Sequence, residues 1–251
     1  NNFKYKDYDN LFDEFLCHGP KDSEFYKKNF NSKVSIMGYP RYDNYLNNKD
    51  NNEMKKNLLK KYSCSLEKPT ILWICTTNEF FSTIATYAKY MEMLREKYNV
   101  ILRPHPIEID PNQRRFKKYV LDIVNSKKFI LSLDSDQNME ELYLISDYVF
   151  CDYGGSIFSA LYCCKNILLL NHKNHIHDFR LHESTSLEIR NYLPAIDESN
   201  CNNNFPSIVE NKLFFSDKKN QIKNTRKIYF GDDINPNCSG LISDRLKKYL
   251  N

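Results

Sequence analysis

Three short stretches of this chain bring together residue types that can do chemistry. In "NVILRPHPIEID", Asn99 to Asp110, a histidine stands between two prolines at the end of an apolar run. Proline on each side removes two backbone donors and biases Arg103 and His105 to extended conformations, so the ladder of a strand stops there and the imidazole is held at its end. An imidazole so placed can take a proton from a hydroxyl or, as a cation, neutralise a phosphate; it also suits a plain loop cap. In "DYVFCDYGGSIFSALYCC" the chain's one adjacent glycine pair, Gly154-Gly155, falls between a run ending at Asp152 and a helical segment starting with Ser156. Free N–H groups at a helix start, approached closely because glycine has no side chain, form an anion site suited to a diphosphate. The plain counterpart is a tight turn with Ser156 as N-cap. Neither GxGxxG nor a P-loop is present, so a classical dinucleotide fold or an ATPase is not indicated. In the third stretch, "GYPRYD", a glycine turn, a proline and Arg41 end a short strand. Arg41 suits a cleft and a surface turn equally.

Weaker candidates follow. Asp134, Ser135 and Asp136 precede a helical segment that also contains Glu140, and capping explains them adequately. Four of the six histidines, His172, His175, His177 and His182, lie in one loop-like run without carboxylate or cysteine at a dependable ligand spacing, so no metal site is expected. No G-x-S-x-G elbow occurs, and Cys163-Cys164 lies inside an apolar helical segment, which argues against a serine or cysteine hydrolase.

Elements able to position these groups are legible in the alternation of short apolar runs with longer helix-period segments from Pro69 onward. The runs are Thr70 to Cys75, Asn99 to Arg103, Phe129 to Leu133, Tyr148 to Asp152 and Asn166 to Leu170, with helical spacing between them and a last helix from about Leu241 to Leu250. Strands that alternate with helices and are apolar along their whole length imply an α/β fold, a parallel sheet covered on both faces. Ligands bind such sheets at the carboxyl ends of the strands, where all three stretches fall. A further short strand at Lys33 to Met37 and the polar "NNKDNNEMKKN" read as the tail of a preceding domain and a linker into a short helix, so residues 1–62 are set apart from a domain over 63–251.

Bulk properties narrow the function. A chain of 251 residues, 41% apolar and 14% aromatic, is globular in composition. Its 36 basic and 32 acidic residues leave a formal charge of +4, and the lysines come as scattered doublets, a solvated-helix pattern that argues against nucleic acid. The eight cysteines include several inside apolar runs and no zinc-type CxxC pair, so reduced, cytosolic thiols are expected. No run reaches the roughly 18 apolar residues of a membrane span. A cytoplasmic protein is expected, with peripheral association at the inner face of the membrane left open.

The order of motifs resembles the CDP-glycerol glycerophosphotransferase family, the teichoic-acid and capsule polymer transferases of the GT-B type. The resemblance runs through "GYPRYD", "ILWICTT", "LRPHP", "ELYLISDYVFCDYGGSIFSAL", "NYLP" and "GLISDR", from roughly Phe15 to the end. It implies a Rossmann-like donor-binding domain, with a short remnant of the acceptor-type domain before it. It also implies that Asp152, Gly154, Gly155 and Ser156 hold the donor diphosphate, that His105 faces the transferred group with Arg103 beside it, and that Arg41 lines the cleft. No metal or cofactor is implied. The donor would be CDP-linked and the acceptor a hydroxyl on a polymer or lipid-linked chain. Two departures stand out. The family usually has two serines where this chain has Gly154-Gly155, and His18-Gly19 lies too close to "GYPR" to be the family's WHG-type motif. Most of the acceptor domain is therefore expected to lie outside this chain, as in a fragment or a partner-dependent half. Two other readings remain at this point. One is a GT-B sugar transferase or UDP-N-acetylglucosamine 2-epimerase relative, which would need carboxylates such as Asp134, Asp136 or Glu140. The other is a non-catalytic nucleotide-binding half-module.

Overall fold

A computed structural model describes residues 11–77, 83–133, 138–172, 185–213 and 216–250. The chain divides into two compact units, one made of 1–47 with 223–251 and the other of 48–222. In chain order the first unit opens with β1 (Glu14–Cys17), α1 (Pro20–Asn29) and β2 (Lys33–Ile36), then a 3-10 turn at Pro40–Tyr42 and α2 (Asp43–Asn48). The second unit follows with α3 (Asn52–Lys61), β3 (Thr70–Ile74), α4 (Ile84–Leu94), β4 (Asn99–Arg103), α5 (Pro106–Ile109), α6 (Lys118–Asn125) and β5 (Ile130–Leu131). It continues through α7 (Met139–Ile145), β6 (Tyr148–Cys151), α8 (Gly155–Tyr162), β7 (Asn166–Asn171), α9 (Thr185–Glu188), β8 (Ala195–Asp197) and α10 (Phe205–Leu213). Next comes α11 (Ser216–Phe230), and α12 (Cys238–Leu250) ends the described chain in the first unit.

Chain order alone sets a boundary near residue 62 and gives everything beyond it to one domain, whereas the compact units break at 47 and the last helix belongs with the first strands. The reason is a set of long-range polar contacts that no local pattern reveals. Glu14 on β1 accepts two hydrogen bonds from the Arg245 guanidinium, at 2.7 and 3.0 Å, one from the Tyr249 hydroxyl at 2.6 Å and another from Ser35. Asp43 caps α12, its carboxylate accepting from the backbone N–H of Cys238 at 3.1 Å and Ser239 at 2.7 Å. The closing "GLISDR" thus contributes Arg245 to a clasp on β1. Gly19 is explained likewise, since a Cβ there would strike the backbone of Tyr229 and Phe230.

Arg245 leads the groups that hold the Glu14 carboxyl well below the usual carboxylate range. A depressed folded value contributes stability that is present above the unfolded value of 4.5 and is lost as pH falls below it. Arg245→Ala is therefore expected to lower the thermal midpoint at pH 7, with the gap to wild type narrowing as the buffer is taken below 4.5. Lys33→Ala, which removes only a cation 3.7 Å from the same carboxylate on an exposed stem, should move it little. Equal shifts for both variants would sink this account.

The second unit holds a six-stranded sheet in the order β5-β4-β3-β6-β7-β8, and every pairing is parallel. Its central strands are apolar end to end because both faces are covered: Ile71, Leu72, Trp73, Ile101, Leu102, Val149 and Phe150 are all buried. Around them Ile84, Tyr87 and Met91 of α4, with Val120 of α6, complete the core. Polar contacts set where the strands begin. Asp147 accepts from the Thr70 N–H and from the Lys55 ammonium, both at 2.8 Å, which fixes the start of β3 against that of β6. Asn99 bonds the Ser65 and Lys68 carbonyls at 2.8 and 3.0 Å, which fixes β4.

Observed strands match the apolar runs closely, with three exceptions. Phe129 to Leu133 shortens to the two-residue edge strand β5, and neither β1 nor three-residue β8 was expected from the sequence pattern. All eight cysteines are free thiols. Among the described residues no helix is long and apolar enough to cross a membrane.

Candidate functional site

The sheet's strand order reverses direction between β3 and β6: from β3 the chain winds outward through β4 to β5, and from β6 through β7 to β8. Loops leaving two such neighbouring strands part from each other, so the crevice at their carboxyl ends is the natural ligand site of a doubly wound sheet. The loop after β3, the His105 segment after β4 and the glycine pair after β6 all open at that edge. With strands about 4.8 Å apart, His105 and the glycine pair stand roughly 10 Å apart across the end of β3.

Asp152 is the first residue beyond β6 and is wholly buried. Its Oδ1 accepts from the N–H groups of Thr76 and Tyr153, both at 2.8 Å, and its Oδ2 from the N–H and hydroxyl of Thr83, both at 3.1 Å. One carboxylate thus ties the loop after β3 and the entry to α4 to the loop after β6. Burial raises its pKa to about 6 in spite of those donors. With both oxygens engaged by Thr76, Tyr153 and Thr83, the Asp152 carboxylate positions these loops.

The glycine pair follows. Gly154 has φ 93° and ψ −164°, a combination open essentially to glycine alone, and it is the N-cap of α8. Ser156 is therefore not the N-cap: the helix already begins at Gly155, and the Ser156 hydroxyl lies within hydrogen-bonding reach of the Cys151 thiol. Gly155 has no positive φ, and a Cβ built on it would meet nothing within 4 Å. Among the described residues nothing requires glycine there, and the first N–H groups of a helix start lack the usual i−4 partners.

Arg190, which sequence reasoning missed, supports this loop from below. Its Nη2 donates to the Asp152 carbonyl and, at 3.4 Å, to the Leu170 carbonyl, and its guanidinium carbon lies 3.9 Å from the centre of the Tyr153 ring. Its Nε and Nη1 are buried and have no hydrogen-bond partner among the described residues. A cation is thus packed beneath the loop that carries Gly154, where it favours negative charge. The sequence held no signal for it, because "EIRNYL" has neither strand nor sustained helix periodicity.

His105 sits two residues past the end of β4, half-buried, as N-cap of α5. Its Nδ1 accepts from the Ile107 N–H at 3.4 Å and its carbonyl from the Glu108 N–H at 3.0 Å. The turn is anchored by Glu108, fully buried and 3.0 Å from the Lys117 ammonium, while the Lys117 N–H bonds the Glu108 carbonyl at 2.9 Å. Arg103 is turned toward β5, its Nη1 donating to Ser132 Oγ at 2.6 Å. Burial first, then the charges of Arg115 and Arg103, push the His105 pKa below its usual value. Arg115 is a second residue that the sequence did not single out; it lies in an irregular surface segment.

The remaining candidates fall elsewhere. Arg41 is an exposed residue of the first unit, beyond the carboxyl end of β2, with its guanidinium 5.9 Å from the Tyr42 ring centre. Glu140 lies in the first turn of α7, where its N–H is bonded by the Asn138 side chain at 2.9 Å. Asp134, Ser135, Asp136, His175, His177 and His182 lie outside the described residues. His172 is described, and its ring lies 4.0 Å from the Glu198 carboxylate. Among the described residues no three His, Cys, Asp or Glu side chains are grouped to hold a metal ion.

Comparison with known proteins adds to this geometry. Residues 4–195 match the family described as CDP-glycerol:poly(glycerophosphate) glycerophosphotransferase. Teichoic acid poly(glycerol phosphate) polymerase of Bacillus spizizenii strain W23 is 25% identical over 158 residues, which cover 59% of this chain and 38% of that protein. The wall teichoic acid polymerase TagF, in a crystal soaked with CDPG, superposes with a TM-score of 0.71 at 17% identity, over 99% of this chain and 60% of that one. An α,α-trehalose 6-phosphate synthase from Burkholderia multivorans shares the fold at a TM-score of 0.52 and 7% identity, over 96% and 61% of the two chains. The chain thus spans 38% of the length of the curated relative and 60% of the solved polymerase.

Proposed function

The chain belongs to the CDP-glycerol:poly(glycerophosphate) glycerophosphotransferase family, and from that premise we propose that its second unit binds a CDP-linked polyol donor for transfer of polyol phosphate to a hydroxyl of a cell-surface polymer. The reaction forms a bond between the acceptor oxygen and the phosphorus bearing the polyol. It breaks that phosphorus's bond to the bridging oxygen, and the nucleoside monophosphate departs. Negative charge grows on the bridging oxygen and on the transferred phosphoryl group, so fixed positive potential at those points accelerates the step. In this reading Gly154, Gly155 and Ser156 present the start of α8 to the donor diphosphate, with Arg190 beneath them. His105 and Arg103 face the transferred group. Arg41, exposed in the first unit, is kept as a further donor-binding candidate. The enzyme works in the cytoplasm on an acceptor held at the inner face of the membrane.

The observation that carries the reading is Gly155: a glycine with no internal need to be one, at a helix start beside the sheet's switch point. A Cβ there should cost the fold nothing, and Gly→Ala at a compatible position commonly stabilises by about 0.5 kcal/mol. It would, however, stand where a phosphate oxygen must approach. Thermal denaturation with CDP-glycerol, CDP, UDP and UDP-N-acetylglucosamine tests this. CDP and CDP-glycerol should raise the midpoint of the wild type, by about 2.7 kcal/mol of stabilisation at a hundredfold excess over Kd. Gly155→Ala should keep or raise the ligand-free midpoint and lose most of that shift. If no nucleotide moves the wild type, or if Gly155→Ala responds as the wild type does, the donor site is not here.

A further inference from the structure

We propose that a second anion-binding site, separate from the donor site, lies at the opposite end of the same sheet, and that it holds the phosphodiester polymer. Two adjoining hollows of about 520 and 280 Å³ open at the amino-terminal ends of β3, β4 and β5, sharing Ser63, Lys127, Phe129 and Ile130 as common wall. Among the described residues five cations, Lys61, Lys68, Arg95, Lys127 and Lys128, line the pair, and no aspartate or glutamate does. Two of the five are neutralised from outside the groove, Lys61 by Glu141 at 2.6 Å and Lys128 by Glu92 at 2.7 Å. A third, Lys68, donates to the Arg95 carbonyl at 3.0 Å and keeps its charge. No ion pair is formed by the exposed side chains of Arg95 and Lys127 among the described residues. The wall between these charges is apolar, with Phe129 and Ile130 facing the larger hollow.

This combination suits a flexible chain with one negative charge per repeat and short carbon spacers: the phosphates meet the cations and the spacers meet the apolar wall. Topology supplies the path. Among the described residues the edge strand β5 pairs only with β4, and it runs from the groove to Ser132, which bonds Arg103. Along four residues, about 13 Å, one open edge therefore links the groove to the candidate transfer site. A polymer lying there would keep its growing end near the donor between additions. The inference rests on the proposed function for the identity of the polyanion, but it uses none of the donor-binding residues.

The test is fluorescence anisotropy with a labelled oligo(glycerol phosphate), recorded with CDP present to fill the donor site. Arg95→Glu combined with Lys127→Glu should weaken oligomer binding by roughly tenfold or more and leave the CDP-induced thermal shift unchanged. Raising salt should weaken wild-type binding in a graded way, as expected of released counterions. Lys56→Glu combined with Lys219→Glu changes the net charge by the same amount at exposed sites away from the groove and should leave binding within about twofold. The proposal is overturned if the oligomer does not bind the wild type, if the groove variant binds it normally, or if both variants weaken it equally. Should CDP shift stability while the oligomer fails to bind, only the groove is lost; a protein that ignores CDP removes the donor reading independently.

Discussion

Asp152→Ala is expected to destabilise the fold by about 4 kcal/mol, because it strands the buried N–H groups of Thr76, Thr83 and Tyr153 together with the Thr83 hydroxyl. Asp152→Asn separates charge from hydrogen bonding. Its one oxygen can still accept from Thr76 and Tyr153, while its amide faces the Thr83 N–H donor to donor, so a loss of about 1 to 2 kcal/mol is expected. The two variants also differ in pH dependence. The folded protein holds the Asp152 proton to about pH 6, whereas the unfolded chain releases it near 3.8. Between those values the native state binds more protons, so this group's contribution falls as pH rises from 3.8 to 6 and is constant above, a change of about 3 kcal/mol in all. Its sign is opposite to that of Glu14 in the first unit. Denaturant titrations of wild type and Asp152→Asn from pH 4 to 7 should show the difference between them shrinking toward higher pH. A difference that is flat, or that grows, would mean the carboxylate is ionised throughout, with its four donors outweighing burial.

What the sequence showed and what it hid follow from range. Continuous apolar runs report strands buried on both faces, and five of the six strands in the main sheet were legible from them. Proline on either side of His105 and the glycine pair report local backbone demands, so both loops were placed at the correct strand ends. The anchoring contacts of Asp152 were not legible because a carboxylate after a strand looks the same whether it faces a ligand or the N–H groups of a neighbouring loop, and Thr76 lies 76 residues away. Arg190 was invisible for the same reason. Its partners, the Asp152 carbonyl and the Tyr153 ring, are more than 35 positions earlier. The Arg245 clasp lies further still, 231 residues from Glu14, which is why "GLISDR" read as a family signature before it had a structural cause. Chemistry-bearing loops are locally encoded here; the parts that hold them rigid are not.

That distinction bears on how His105 works. Transfer by the enzyme carrying this chain is expected to fall by roughly 10² to 10⁴ in kcat with His105→Ala, the range for a positioned proton-transfer or oxyanion-stabilising group. On the proposed function, the hydrogen bonding of the ring says which nitrogen would face the donor. Because Nδ1 accepts from the Ile107 N–H, the neutral ring carries its proton on Nε2, and burial with two arginine charges favours that neutral form. An Nε2–H next to Arg103 is a donor, suited to an oxygen of the phosphoryl group in flight rather than to removal of the acceptor's proton. His105→Gln, whose side-chain amide can place an N–H near the Nε2 position, should therefore retain more activity than His105→Asn, whose amide stands near Nδ1. The rate should also be level from about pH 6.5 upward so far as this residue governs it, with kcat measured on donor-saturated enzyme to separate transfer from binding. Equal loss in the glutamine and asparagine variants, with activity declining through a single titration as pH falls, would assign His105 the part of general base instead.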